Sequence, residues 1–184
     1  ESGSGMGGSS VFLSYLLKYL DPERFHPLLA YYFHNSGSDT DHIRQLGVPV
    51  VFLSPHRTGP PKFLSAPPTN PRFRTLTVPV RFCLRLLLVY LPQLRRLLRL
   101  LRKESISLIV LNNDVHYHFV GAMAARIAGV PCICRKAGGI EEGRRIKPLL
   151  TPWIDIFVAI SAATDRDQLQ NNPATRRLVT VYPG

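Results

Sequence analysis

Residues 106–134 read ISLIVLNNDVHYHFVGAMAARIAGVPCIC, and the fold turns on how they are parsed. Residues 106–111 are a short apolar run, the pattern of a strand buried on both faces. Residues 115–128 form an alanine-rich helix, with Asp114 placed as a candidate N-cap and Gly129 as a C-cap. Residues 130–134 are apolar again and read as a second strand. Short, doubly apolar strands separated by helices imply a parallel sheet covered on both faces.

The pattern extends outward in both directions. Upstream, residues 10–20 carry Val11, Phe12, Tyr15, Leu16 and Tyr19 at helical spacing, with Ser9 or Ser10 as cap and Asp21-Pro22 as stop. A strand at 28–33, a small helix at 39–46 closed by Gly47 and a strand at 48–53 follow. Downstream, strands are expected at 155–160 and 178–182, flanking a helix at 162–170 behind the cap candidate Ser161. The middle breaks the alternation. Residues 54–79 hold seven prolines and read as a long loop. Residues 80–103 read as helical, divided by Pro92. The expected architecture is one α/β domain over residues 1–184, a doubly wound parallel sheet. Its first strand is missing, because no strand precedes the glycine-rich opening.

The chain has 184 residues, 45% of them apolar and 19% charged, enough for a sizeable core and unlike a disordered or fibrous chain. Twenty-three lysines and arginines against 12 acids leave a formal charge of +11, which favours anionic partners. Three cysteines cannot form a disulfide framework. Cys132 and Cys134 alternate along one strand face and read as small, buried, reduced side chains, implying a reducing, cytoplasmic compartment. The longest apolar stretch, residues 86–91, is far short of the roughly 20 needed to span a bilayer, so a soluble or peripheral protein is expected. Both ends read as cut, since the chain opens at Glu1 and closes on a strand running into a turn.

In doubly wound sheets ligands collect outside the carboxyl ends of the strands. Gly7, Gly8 and Ser9 open the first helix, where glycine lets a backbone approach closely and first-turn amides favour phosphate. The spacing is not the dinucleotide fingerprint, and a flexible tail has the same composition. Asn112, Asn113 and Asp114 end a strand, where amides and a carboxylate can bond hydroxyls or hold a general base. Asp114 serves equally as a helix cap. His116 and His118 stand two apart, diverge on a helix and cannot chelate one metal, so no metal site is expected. Arg135 and Lys136 lead into a polar loop with Gly138, Gly139, Glu141 and Glu142. The two cations can stabilise charge on a phosphate or leaving group, or the stretch is a solvated turn.

The helix at 92–103 has a stripe of Leu94, Leu97, Leu98 and Leu101, with Arg95, Arg96, Arg99, Arg102 and Lys103 crowding the rest. Such an element can lie on an anionic membrane surface with those five cations as contacts, or pack its leucines inward and solvate its arginines. Nucleic acid is not expected, because no recognition motif or stacking platform accompanies the arginines. There is no nucleophile elbow and no Walker sequence.

Several stretches together resemble the N-terminal domain of family 4 glycosyltransferases, retaining enzymes of the GT-B fold. They are Gly7-Gly8-Ser9-Ser10 opening a helix, Leu20-Asp21-Pro22-Glu23-Arg24-Phe25 before a strand, and Gly47-Val48-Pro49-Val50 before another. Most specific is 107–184: a strand, Ala122-Met123-Ala124-Ala125-Arg126-Ile127-Ala128, Gly129-Val130-Pro131, a strand ending at Ser161, and Val179-Thr180-Val181-Tyr182-Pro183-Gly184. The resemblance implies a Rossmann-like acceptor-side domain, with a nucleotide-sugar as donor substrate and no other cofactor. It places Gly7 and Gly8 at the donor diphosphate and the region from Arg135 to Gly139 near the reacting centre. The acceptor is expected to be a lipid-linked sugar or a cell-surface glycan, with the enzyme at the inner face of the membrane. The donor-binding domain lies outside these residues, so this chain alone is expected to be inactive. Ser10 stands where an acid often follows the glycines, Arg135 where a histidine often follows the strand, and Pro183 in place of an asparagine. A nucleotide-sugar epimerase of the same architecture and a non-catalytic membrane-associated binding domain remain the alternatives.

Overall fold

The computed structural model describes residues 8–33, 38–54, 80, 83–136, 147–171, 175, 177–182. Each expected strand forms: β1 (Leu29–Tyr31), β2 (Val50–Phe52), β3 (Ile109–Leu111), β4 (Cys132–Lys136), β5 (Ile156–Ala159) and β6 (Leu178–Thr180), although Val110 of β3 is half exposed and that strand is not buried on both faces. All pairings are parallel, with Leu29 opposite Val50, Ile109 opposite Cys132, Ile133 opposite Ile156 and Phe157 opposite Leu178. Helix α1 (Gly8–Tyr19) precedes β1, and helices stand between the successive strands, as parallel connections require: α2 (Ser38–Gln45), α3 (Leu91–Lys103), α4 (Phe119–Ala128), α5 (Lys147–Leu150) and α6 (Ala162–Asn171). The architecture is Rossmann-like α/β. Among the described residues no helix is long and apolar enough to cross a membrane.

The strands form two sheets where a single one was expected. β1 pairs only with β2, and β3 to β6 run in sequence order in a second sheet. Side chains join the two. Gln93 of α3, almost fully buried, donates from Nε2 to the Tyr32 carbonyl just past β1 at 3.1 Å. Arg96 donates from a terminal nitrogen to the Leu53 carbonyl just past β2 at 3.3 Å. The Tyr32 hydroxyl accepts the Gly121 amide of α4 at 3.1 Å, and its ring stacks on His118 at 5.6 Å between centroids. Around these bonds Tyr32, Leu53, Leu97, Leu101, Val120 and Ala124 form one apolar cluster. Ala122 and Ala125, also on α4, enter a second cluster with Leu111, Cys132, Cys134, Ile154 and Phe157. Small residues let one helix serve both cores, because its backbone can sit close to each. A third cluster of Leu13, Ile43 and Val48 packs α1 on α2 beside β2.

Several local expectations need correction. Helix α4 begins at Phe119, not residue 115, and its N-cap position is His118, which makes no side-chain cap. Asp114 is therefore not its cap. The amide of Gly121, third in the helix, has no partner within it, and the distant Tyr32 hydroxyl supplies one. The C-terminus follows expectation: Gly129 adopts φ 68°, and its amide bonds the Ala125 carbonyl. Ser9 and Ser10 lie inside the first turn of α1 and not ahead of it. Ser161 does cap α6, accepting the Thr164 amide at 3.2 Å while Thr164 Oγ1 accepts the Ser161 amide at 3.0 Å. Residues 83–103 run as one helical stretch. Its first half widens into a π-turn at Leu86–Tyr90, where the Leu91 amide reaches back to the Leu86 carbonyl. Pro92 explains the widening, since it has no amide to donate and its ring crowds the carbonyl four residues back. Of the expected loop at 54–79, all but Ser54 lies outside the described residues.

Because Tyr32 supplies the missing cap, Tyr32→Phe is expected to lower unfolding stability by about 1–2 kcal/mol in urea titration. A loss below about 0.3 kcal/mol would mean that the Gly121 amide does not depend on the hydroxyl.

Candidate functional site

The polar residues singled out from sequence gather where β3 and β4 end. Strand β4 does not stop at Cys134 as expected. The ladder with β5 continues through Arg135 opposite Val158 and Lys136 opposite Ala159. Both cations are therefore strand residues and both are buried, so the solvated turn is excluded for them. Arg135 donates from Nε to Asn112 Oδ1 at 3.0 Å, which ties the end of β4 to the residue after β3. Its guanidinium carbon stands 3.9 Å from the centre of the Phe12 ring. A planar cation stacks well on an aromatic face, and here that contact holds α1 against the end of β4. Gly8 opens that same helix, with Ser9 in its first turn. Gly7, Gly138 and Gly139 lie outside the described residues, as do Glu141 and Glu142.

Asp114 acts as an ion-pair partner. Lys147 places its ammonium 2.5 Å from Asp114 Oδ2, with both side chains under a tenth exposed. Lys147 opens the short helix α5, and Thr151 Oγ1 donates to its carbonyl at 2.8 Å. A charge pair this deep persists only because each partner is matched, and removing either strands the other. Lys147 was not identified from sequence. A lysine set between Ile146 and Pro148-Leu149-Leu150 was the available sign, since a cation flanked by apolar residues needs a partner if it is buried.

His116 sits beside this pair, its Nδ1 3.4 Å from Asp114 Oδ1. Among the described residues neither ring nitrogen makes a hydrogen bond. Its ring lies against Tyr117 at 3.8 Å between centroids. His118 faces away into the core, against Tyr32, and burial holds its pKa well below the usual 6.5. The two histidines do diverge, although the backbone there is a turn and not the expected helix. Asn113 turns its Oδ1 to the Asp114 amide at 2.9 Å, and its carbonyl accepts the Cys134 thiol at 3.2 Å. Cys132 and Cys134 are fully buried. Burial, aided by Asp155, pushes the Cys132 thiol up to about 12, and burial with Asp114 raises Cys134 well above its ordinary value. Both stay protonated at neutral pH, which suits packing and not thiolate chemistry.

The five cations of the basic helix separate into two groups. Arg95, Arg99, Arg102 and Lys103 are exposed. Arg96 turns inward to the Leu53 carbonyl and so leaves the expected cationic face. Lys103 pairs with Glu104 at 3.0 Å. Leu97 and Leu101 are buried, with Leu94 and Leu98 packed beside them, so the leucine stripe belongs to the core.

The family model described as Glycosyltransferase Family 4 matches residues 40–184. No curated protein matches the chain.

Two measurements probe the cluster. Lys147→Met alone is expected to cost about 3–5 kcal/mol of stability, and adding Asp114→Asn should restore part of it. Strict additivity of the two changes would show that they are not coupled. The second concerns His118, whose folded pKa is depressed by burial. Above pH 6.5 the native and unfolded chains carry the same proton there, and stability is flat in this group. Below it, the unfolded chain takes up a proton that the fold refuses, so stability falls by up to about 1.4 kcal/mol per pH unit. His118→Phe, which keeps the stack on Tyr32, should flatten that acid-side slope; an unchanged slope would assign it elsewhere.

Proposed function

Since the chain belongs to glycosyltransferase family 4, we propose that it forms the acceptor-side half of a retaining transferase. The enzyme moves a sugar from a nucleotide-sugar donor to a lipid-linked or cell-surface glycan acceptor, at the cytoplasmic face of the membrane. His116 is the observation that supports this most. A nearly buried imidazole that stands 3.4 Å from Asp114 and whose nitrogens find no hydrogen bond among the described residues, at the end of a strand, is polar capacity for a ligand. The two ring nitrogens of an imidazole can each make a hydrogen bond, which suits a sugar hydroxyl.

In this reading Asn112, Asn113, Asp114 and His116 orient the acceptor, and Gly138 and Gly139, which lie outside the described residues, are proposed as further acceptor contacts. Asp114 acts through Lys147, which fixes its carboxylate and so the side of the site on which His116 sits. Arg135 and Lys136 raise the positive potential at the end of β4. There, negative charge developing on the donor phosphate as its bond to the sugar breaks is stabilised at little reorganisation cost, because Arg135 is already held by Asn112 and Phe12 and Lys136 is buried in the strand beside it. Gly8 and Ser9 at the start of α1 add first-turn amides for the same diphosphate, and Gly7, outside the described residues, is proposed to contribute with them. The Phe12–Arg135 contact supports that pairing, since it brings α1 and the cationic strand end together. During transfer the bond from the sugar to phosphate breaks and one to the acceptor oxygen forms on the same face. The acceptor proton leaves toward the phosphate. The donor-binding domain is supplied outside residues 1–184, and these residues alone are inactive.

The full-length protein, given nucleotide-sugars labelled in the sugar, should pass label to an acceptor with the anomeric configuration kept. His116→Ala should lower kcat/KM at least about tenfold while leaving the urea midpoint near that of the parent. Label that stays in the nucleotide-sugar pool with an inverted ring carbon would identify an epimerase. No turnover with any donor would leave a binding domain.

A further inference from the structure

The strongest unexplained surface begins ahead of the basic helix. Leu84, Leu87 and Leu88 are 38%, 59% and 50% exposed, and Val80 and Cys83 are exposed as well. These leucines do not belong to any of the three apolar clusters. Yet the same helical stretch buries Val89, Gln93, Leu97 and Leu101. The inward side is thus taken, and the leucines stand on the other side. Stepping along the helix at about 100° per residue, and less through the wide turn, puts Leu84, Leu87, Leu88, Arg95, Arg99 and Arg102 within roughly a third of the circumference. That outward stripe is apolar over its first half and cationic over its second. No acidic residue occurs between 80 and 103 to oppose it.

We propose that this stripe is a membrane-docking face, seated lengthwise on an anionic phospholipid bilayer. Leu84, Leu87 and Leu88 enter the boundary between headgroups and acyl chains. Arg95, Arg99 and Arg102 lie level with the lipid phosphates, their alkyl stems continuing the apolar contact. Charge decides the occupant. A protein partner would need an acidic ridge beside an apolar socket, whereas a bilayer of anionic lipid offers both over any area, to a chain with a net charge of +11. The π-turn suits the role, because the helix remains continuous from the leucines to the arginines, so both press on one plane. The leucines are the part that the basic pattern alone does not reveal. They make the contact insertion as well as attraction, and Arg96 takes no part in it.

The face adds a partner to the transferase function and is tested without any sugar transfer. The full-length protein is floated with vesicles of phosphatidylcholine, with or without phosphatidylglycerol. The parent should rise only with the anionic vesicles. Leu87→Asp with Leu88→Asp, and separately Arg95→Glu with Arg99→Glu and Arg102→Glu, should each cut the bound fraction at least about tenfold. All these positions are exposed, so helical circular dichroism should not change. Added salt should weaken binding of the parent without abolishing it, because insertion of leucine is not screened. Flotation that survives the leucine changes, or equals that on pure phosphatidylcholine, overturns the proposal. So does retention on heparin with no flotation, which would assign the arginines to a soluble polyanion. Leucine-dependent self-association without flotation would assign the face to a second copy of the chain.

Discussion

Two parallel sheets that share no ladder bond must be held together by something else, and here the junction passes through Tyr32. Its carbonyl accepts Gln93 of α3, its hydroxyl accepts Gly121 of α4, and its ring lies on His118. One residue past the end of β1 thereby touches both helices that stand between the sheets and the turn that leads to the candidate site. None of these contacts has a neighbour in sequence. The placement of β3 and its polar terminus relative to β1 and β2 is consequently a tertiary matter, with small residues on α4 allowing the close approach.

The strands were legible because each is an apolar run with clear borders, although Val110 of β3 and Val179 of β6 are exposed and not covered on both faces as expected. Gly129 and Ser161 were legible as caps for the same local reason. Other features depended on information outside the local window. Strand β4 gains Arg135 and Lys136 because β5 offers two further ladder positions. Two consecutive cations looked like a loop because nothing nearby shows that Asn112 and Phe12 will receive the arginine. Asp114 looked like a cap because it precedes a helical pattern, but Lys147, more than thirty residues later, claims its carboxylate. Once that carboxylate is committed, the helix starts later and takes its missing acceptor from Tyr32.

The candidate site was legible as a location and less so as chemistry. Asn112, Asp114, His116 and Arg135 do meet at the ends of neighbouring strands, as topology requires. What each one does there follows from pairwise contacts. Arg135 is anchored by an amide and a ring, Asp114 by a lysine, and His116 is the member whose nitrogens make no hydrogen bond among the described residues. A division into anchored and unanchored groups is what a site needs if it is to hold one ligand in one pose. The basic helix shows the same sorting: its leucines and Arg96 were claimed by the core, and the remaining arginines were not.

The two bonds from α3 to the carbonyls after β1 and β2 also bear on how this domain can change length. They set where the ends of β1 and β2 stand against α3, independently of the residues that join them in sequence. The entropy of closing a connection between two fixed points grows only with the logarithm of its length, and doubling one costs about 0.6 kcal/mol. A change in the number of residues between Leu53 and Gln93 is therefore expected to leave the register of β1 and β2 as it is.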